Sequence, residues 1–356
     1  MGRHAQPVTE LAAPAVAAGL ALCIALSAQT VHADAIGRAE ILALSHSIGR
    51  VEARLDDGRV GVGSAITVAQ GILVTNCHVT SRAVSIKVIG GGMPWAASEQ
   101  VADVTHDVCF LRVPEWPHPP VLLRGASPLH IGQPVSAMGF TAAAMTLRTG
   151  AITALHAHES AQIIETDTAF NSGASGGGLF DDEGSLIGML TFRMRGTSGH
   201  YFALPMQWIR DRLPRESQWL EVAPLEKGRP FWAGDIDQLP LFMRAASLEE
   251  QRRWSELRSV AEFWAARDPD NPEAHLALGI ALSRLAAPEA AVESLSWAVA
   301  LAPKNAVAWF NLGQAYRVSG NRGALRRVLG TLSDLDETLA QRLRAETDNT
   351  SSDISQ

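Results

Sequence analysis

Between residues 51 and 192 the apolar positions fall into short runs separated by glycine, proline and acidic residues. Val51–Leu55, Val60–Val68, Ile72–Thr75, Val84–Ile89, Val108–Val113, Val135–Met138, Thr149–Leu155, Ile163–Thr166 and Leu186–Phe192 either alternate with polar residues or are continuously apolar. The breaks between them include Asp56-Asp57-Gly58, Gly90-Gly91-Gly92, Pro117 to Pro120 and Asp181-Asp182-Glu183-Gly184. Many short strands punctuated in this way predict an all-β barrel or sandwich. Met206 to Leu213 has helical spacing and predicts a helix that closes this region.

After Pro214 the pattern changes. Residues 215–236 are rich in Pro, Gly and charge and predict a linker; the remainder is rich in Ala and Leu with helical periodicity. Within it, Asn271-Pro272-Glu273-Ala274-His275 aligns with Asn305-Ala306-Val307-Ala308-Trp309, and Leu278-Gly279 with Leu312-Gly313. Both offsets are 34 residues, and this stretch resembles tetratricopeptide repeats. Leu241, Ala245, Leu257 and Ala261 continue the register one period upstream, so three repeats are expected over 237–346, the outer two as atypical caps. A generic helical hairpin bundle is the alternative. The polar tail 347–356 is expected to be disordered.

At the other end, Met1-Gly2-Arg3-His4 is mildly basic, Leu11 to Ala28 is apolar, and Val31-His32-Ala33 ends in small residues. That is the pattern of a secretory signal peptide, 1–33, with cleavage after Ala33. An uncleaved anchor is the alternative, because the apolar run approaches the length of a membrane span. No other segment is long and apolar enough, so no stable span is expected after cleavage, and the location is periplasmic or secreted.

The chemistry is concentrated in Phe170-Asn171-Ser172-Gly173-Ala174-Ser175-Gly176-Gly177-Gly178-Leu179. Glycine tolerates positive φ and close backbone approach, so such a run aims N–H groups at one point. A serine at its centre is placed to attack a carbonyl carbon while those groups hold the oxyanion. Its hydroxyl needs a base, and the base needs a carboxylate to fix its tautomer. His78 follows the apolar run Gly71 to Val74, and Asp107 opens another, Val108 to Val113. His106 is set aside as a solvated neighbour, because adjacent strand residues point to opposite sides.

Gly63-Ser64-Ala65, Thr75-Asn76-Cys77-His78-Val79, Asp107-Val108-Cys109-Phe110-Leu111 and Gly173-Ala174-Ser175-Gly176-Gly177 together resemble the trypsin-like serine proteases, nearest their bacterial Deg/HtrA-type branch. The order His78, Asp107, Ser175 is the chymotrypsin order. Glu165 to Ala169 and Phe202 to Pro205 are also similar to that branch, and the likeness spans roughly residues 45 to 212. The resemblance implies two six-stranded chymotrypsin-like β-barrels over 34–214, with the triad His78, Asp107 and Ser175. It further implies an oxyanion hole made by the N–H groups of Gly173 and Ser175.

By the same analogy, Ala169 lies at the floor of the substrate pocket, with Phe170, Thr191 and Phe192 along its walls. No carboxylate stands there, which favours an apolar P1 residue. The chain departs from the trypsin-like pattern at Ala174, where zymogens carry an aspartate and the Deg type an asparagine, so activation by a newly cut N-terminus is not expected. Without the signal segment two cysteines remain, Cys77 beside His78 and Cys109 two residues after Asp107. If the histidine and aspartate are bonded, the cysteines lie on neighbouring segments. A Cys77–Cys109 bridge is then expected in an oxidising compartment, with two buried thiols as the alternative.

A net charge of −7 with no long basic run gives no footprint for nucleic acid. The histidines form no metal-ligand spacing and no phosphate-cradling motif occurs, so no cofactor is expected. The expectation is a β-barrel protease domain followed by an α-helical repeat solenoid. It would be an exported serine endopeptidase acting on protein or peptide substrates, with repeats that bind a peptide or partner protein for recruitment or regulation. The alternative is a catalytically silent or esterase-like protein of the same fold serving as an adaptor. The sequence does not fix the oligomeric state.

Overall fold

The computed structural model describes residues 36–125, 127–194, 200–226 and 228–353. The expected signal peptide, 1–33, lies outside them. Helix α1 (Arg38–His46) leads into strands β1 (Ile48–Leu55), β2 (Val60–Ala69) and β3 (Ile72–Thr75), then the single-turn α2 (Cys77–Thr80). Strands β4 (Ala83–Gly90), β5 (Met93–Ala96), β6 (Glu99–Asp103) and β7 (Val108–Arg112) follow. The period of two is plain in β1, where Val51 and Ala53 are buried while Arg50 and Glu52 pair outside at 2.7 Å. The β4–β5 hairpin turns through Gly91 and Gly92, both at positive φ, as a two-residue primed turn requires.

A second set of strands comprises β8 (Pro134–Thr141), β9 (Ala144–His158), β10 (Ala161–Thr166), β11 (Gly178–Phe180), β12 (Leu186–Met194) and β13 (His200–Pro205). They form a closed barrel in the order β10-β13-β12-β11-β8-β9, followed by α3 (Met206–Asp211). Two six-stranded β-barrels were expected; among the described residues only this set closes by hydrogen bonds. The first sheet has eight strands in the order β14-β6-β7-β3-β2-β1-β4-β5, where β14 is Leu220–Glu221. Its corner is turned by the chain itself. Ala97 donates to Ile86 O at 3.0 Å and Ser98 to Arg112 O at 2.9 Å, so β5 runs into β6 where a ladder would otherwise join them.

Within residues 215–236, read as a linker, the stretch 216–225 is packed against the first sheet. Besides β14, Arg112 holds Glu216 through two bonds of 2.9 Å and lies 4.5 Å from the Trp219 ring. Beyond them come α4 (Leu241–Glu250), α5 (Trp254–Arg267), α6 (Pro272–Arg284), α7 (Pro288–Leu301), α8 (Ala306–Val318), α9 (Arg322–Leu335) and α10 (Glu337–Asp353). The 34-residue spacing recurs in their construction. Asn271 caps α6 by accepting Glu273 N–H at 3.0 Å, and Asn305 caps α8 by accepting Ala308 N–H at 3.0 Å. Gly279 faces Leu295, and Gly313 faces Leu343 and Val328, so close that a Cβ would collide.

The tail expected to be disordered from residue 347 is helical as far as Asp353. Arg342 and Glu346, one turn apart at 3.1 Å, and Gln314 bonded to Glu346 at 2.9 Å anchor the last helix ahead of it. One apolar core joins barrel and helices, bringing Phe192 and Phe202 together with Phe242, Ala245 and Trp264. Among the described residues no helix is long and apolar enough to cross a membrane.

Candidate active site

Strand β3 delivers the chain to Asn76, whose side chain does not cap α2. It donates instead to Asp107 O at 3.1 Å and to Thr191 Oγ1 at 2.9 Å. The turn that follows carries His78, its side chain 30% exposed. Asp107 is fully buried and has φ +59°, a left-handed conformation that non-glycine residues seldom adopt. Its carboxylate faces His78 with both oxygens: Oδ1 accepts the His78 backbone N–H at 2.8 Å, and Oδ2 meets Nδ1 at 2.7 Å. An Nδ1–H held in this way leaves Nε2 as the basic nitrogen. Cys77 and Cys109 are joined as a disulfide with Cα atoms 4.9 Å apart, tying α2 to β7 beside this pair.

Ser175 lies between β10 and β11. Ala174 N–H returns to Asn171 O at 3.0 Å with Gly173 at φ +97°, the pattern of a type II turn, which requires a residue like glycine at its third position. Ser64 on β2 clamps the loop: its hydroxyl donates to Gly173 O at 2.9 Å and accepts Phe140 N–H at 2.8 Å, and its N–H donates to Ser175 O at 2.7 Å. Gly176, at φ +84°, donates to Leu190 O at 2.8 Å. Ala174 is buried among Val135, Leu179 and Leu190, an apolar setting that suits its lack of a polar group. Among the described residues the N–H groups of Gly173 and Ser175 have no hydrogen-bond acceptor.

The Ser175 hydroxyl donates to Thr191 O at 3.0 Å. Among the described residues it makes no bond to His78. Of the pocket candidates, Ala169 is exposed, while Phe170, Thr191 and Phe192 are buried. Phe170 packs edge-on to Tyr201 at 5.3 Å; Phe192 stacks on Phe202 at 4.8 Å and on Trp232 at 5.1 Å. The two phenylalanines belong to different apolar clusters and do not form one wall. His106 is not the solvated neighbour expected. It bonds Asp103 at 2.7 Å and Glu159 at 2.9 Å and packs edge-on to Trp208 at 4.5 Å, because the β9–β10 turn and α3 cover that side.

Sequence reasoning missed two things at the site: that Asn76 and Thr191, each named above in another role, bridge the two sheets, and that Trp232 belongs here at all. The Trp232 indole Nε1 donates to Asp107 Oδ2 at 3.1 Å from 125 residues away, and its ring stands edge-on to His78 at 5.3 Å.

A second polar cluster lies where the barrel meets the helices, around a cavity of about 90 Å³. Glu165 bonds His156 at 2.7 Å and His200 at 2.6 Å, with Glu249 of α4 at 3.8 Å from His200. Burial opposes charge on both Glu165 and His200. Their mutual attraction prevails, holding the carboxyl well below its usual range and the imidazole well above its own. Burial, with the neighbouring Glu165 and Glu249 carboxylates, pushes Glu273 up to about 8.

Residues 63–189 match the family described as the trypsin-like peptidase domain. The serine protease HTR4 of Rattus norvegicus is 29% identical over 225 residues, covering 59% of this chain and 42% of that protein. A probable periplasmic DegP-like serine endoprotease of Halomonas elongata is 31% identical over 163 residues, covering 43% of this chain and 34% of that protein. The chain therefore spans less than half the length of these relatives. The active form of the Rv3671c protease from M. tuberculosis aligns with a TM-score of 0.47 at 20% identity, over 53% of this chain and 88% of that one. This chain carries a trypsin-like peptidase domain, similar to those of the HtrA/Deg serine proteases.

Proposed function

We propose that this chain is an exported serine endopeptidase whose helical hairpins, read as tetratricopeptide repeats, recruit substrate or regulate the site. The observation that carries the reading is the buried Asp107 carboxylate bonded through both oxygens to His78, beside a serine loop with free N–H groups. Ser175 Oγ attacks the scissile carbonyl and His78 Nε2 takes its proton, later giving it to the leaving amine. Asp107 fixes the tautomer and stabilises the charged imidazole. The N–H groups of Gly173 and Ser175 receive the oxyanion. For this the hydroxyl has to exchange Thr191 O for His78 Nε2. The substrates are proteins or peptides with an apolar P1 residue beside Ala169 and Phe170.

The bond from Ser175 to Thr191 O favours a second reading, in which the domain is catalytically silent or esterase-like and the helices act as an adaptor. Labelling of residues 34–356 with a fluorophosphonate, beside Ser175→Ala and His78→Ala, separates the two. Reaction of the wild type that both substitutions reduce by at least about 1000-fold supports the peptidase chemistry, and cleavage of a protein substrate then distinguishes it from an esterase. A folded wild type that never labels overturns it.

A further inference from the structure

Trp232 belongs to the segment that joins the peptidase domain to the helices, yet its indole lies in the proposed catalytic pair. Three donors converge on the Asp107 carboxylate. Oδ1 receives the His78 backbone N–H at 2.8 Å, while Oδ2 faces His78 Nδ1 at 2.7 Å and receives Trp232 Nε1 at 3.1 Å. Among the described residues no other side chain bonds this carboxylate. Asp107 is fully buried, so water does not replace a missing donor there, and an unpaired buried carboxylate is expensive.

The indole is itself held on several sides. Its ring stacks on Phe192 at 5.1 Å and stands at 90° to the His78 ring at 5.3 Å. The preceding residue docks on the loop that carries Asp107: Phe231 N–H donates to Thr105 O at 2.9 Å, and its ring stacks on His158 at 4.9 Å. A freely moving linker would have no need of these contacts. The segment brings a fixed N–H to the one carboxylate oxygen that must also orient the imidazole.

We propose that Trp232 is a positioning residue: its N–H fixes the Asp107 carboxylate so that Oδ2 stays in line with His78 Nδ1, and docking of the 228–233 segment completes the catalytic pair. The inference rests on the reading of His78 and Asp107 as base and orienting acid.

Trp232→Phe deletes the N–H and keeps an aromatic ring on Phe192 and His78. Two measurements on residues 34–356 test it. One is the rate of fluorophosphonate labelling; the other is the far-downfield proton resonance of His78 Nδ1–H, assigned by its loss in His78→Ala. We expect labelling about tenfold slower, the effect of losing a hydrogen bond to a charged group, together with a displaced or broadened resonance. Thermal unfolding compared between the two proteins shows that the variant is folded, and Trp232→Tyr, with a shorter reach, serves if it is not.

An unmoved resonance overturns the proposal, even if labelling slows, because the His78–Asp107 bond is then independent of the indole. A moved resonance with unchanged labelling also overturns it, as contact without consequence. If the wild type never labels but its resonance is present, the reading of Ser175 as nucleophile has failed, and a resonance that moves in Trp232→Phe still supports the Trp232–Asp107 bond.

Discussion

The sheet region and the helical region are built on opposite contact ranges. Around Ser175, Ser64 reaches Gly173 across 109 residues, Asn76 reaches Thr191 across 115, and Trp232 reaches Asp107 across 125. In the helices, a cap binds residues two or three positions on, and Gly279 meets Leu295 on the very next helix. The difference bears on function. A site whose parts arrive from distant strands is precise only if each strand is in register, whereas a helical hairpin is held by its immediate neighbours. Substitutions in the sheets should therefore be felt at the site, and those in the helices should remain local.

The largest effect is expected at Gly176. Its φ of +84° is unfavourable for any residue with a Cβ, and a Cβ there would overlap the Ser64 carbonyl oxygen and crowd Thr75 Oγ1. Both neighbours belong to strands whose ladders fix them. Gly176→Ala should displace the Ser175 loop and slow fluorophosphonate labelling by about 100-fold, the cost of roughly an ångström of misplacement. Far-ultraviolet circular dichroism should keep the helical signal. Labelling at the wild-type rate would break the comparison, since it would mean that the loop tolerates a shift in its distant supports.

The same contrast explains what could be read from the residues alone. His78, Asp107 and Ser175 sit in motifs where neighbours in sequence share the chemistry, and the structure brings His78 to Asp107 while leaving the Ser175 hydroxyl on Thr191 O. Trp232 could not be found, because nothing near it in sequence names a carboxylate, and the segment around it has the composition of a linker. Strands β5 and β6 were equally hidden: Met93-Pro94-Trp95-Ala96 holds a proline, and Glu99 to Asp103 is polar at both ends. Their pairing with β4 and β7 decides them. In the helices, by contrast, the 34-residue spacing paired Asn271 with Asn305 directly, and the structure makes both of them caps.

Where the regions meet, the comparison can be sharpened with pH. From the barrel, His156, Glu165 and His200 face the boundary; Glu249 comes from α4, Glu273 from α6 and Asn305 from the start of α8. Glu273 is pushed up to about 8 by burial and by its carboxylate neighbours, so the folded chain holds a proton that the unfolded chain releases near the ordinary carboxyl value. Its contribution is complete below that ordinary value and is lost as pH rises through about 8. His200, raised by Glu165, acts in the same direction: its contribution is complete below pH 6.5 and is lost through its higher folded value. Glu165 is lowered, and its contribution is lost only in acid. The melting temperature should therefore fall as pH rises from 6.5 to about 8. Glu273→Gln, which copies the neutral acid, should flatten that fall. Parallel curves for the two proteins would show that Glu273 is ionised at the boundary after all.

The smallest effects are expected at the two caps, and they test whether the helical region is local throughout. Asn271 accepts Glu273 N–H at 3.0 Å and donates to Asp268 at 2.8 Å, all within its own turn. Asn271→Ala should cost about 1 kcal/mol in a denaturant titration, the usual value of a lost N-cap. Asn305 makes the equivalent cap to Ala308, but its amide also donates to Glu273 Oε1 at 3.1 Å and reaches Thr153 O of the barrel at 3.5 Å. Removing it strands a buried carboxyl as well as a helix end, so Asn305→Ala should cost about 2 kcal/mol or more. The excess over Asn271→Ala should shrink when Glu273→Ala is added, because the orphaned group is then gone. Equal costs for the two caps would mean that Asn305 does no more than start its helix, and that the boundary is held by the apolar core around Phe242 and Trp264 alone.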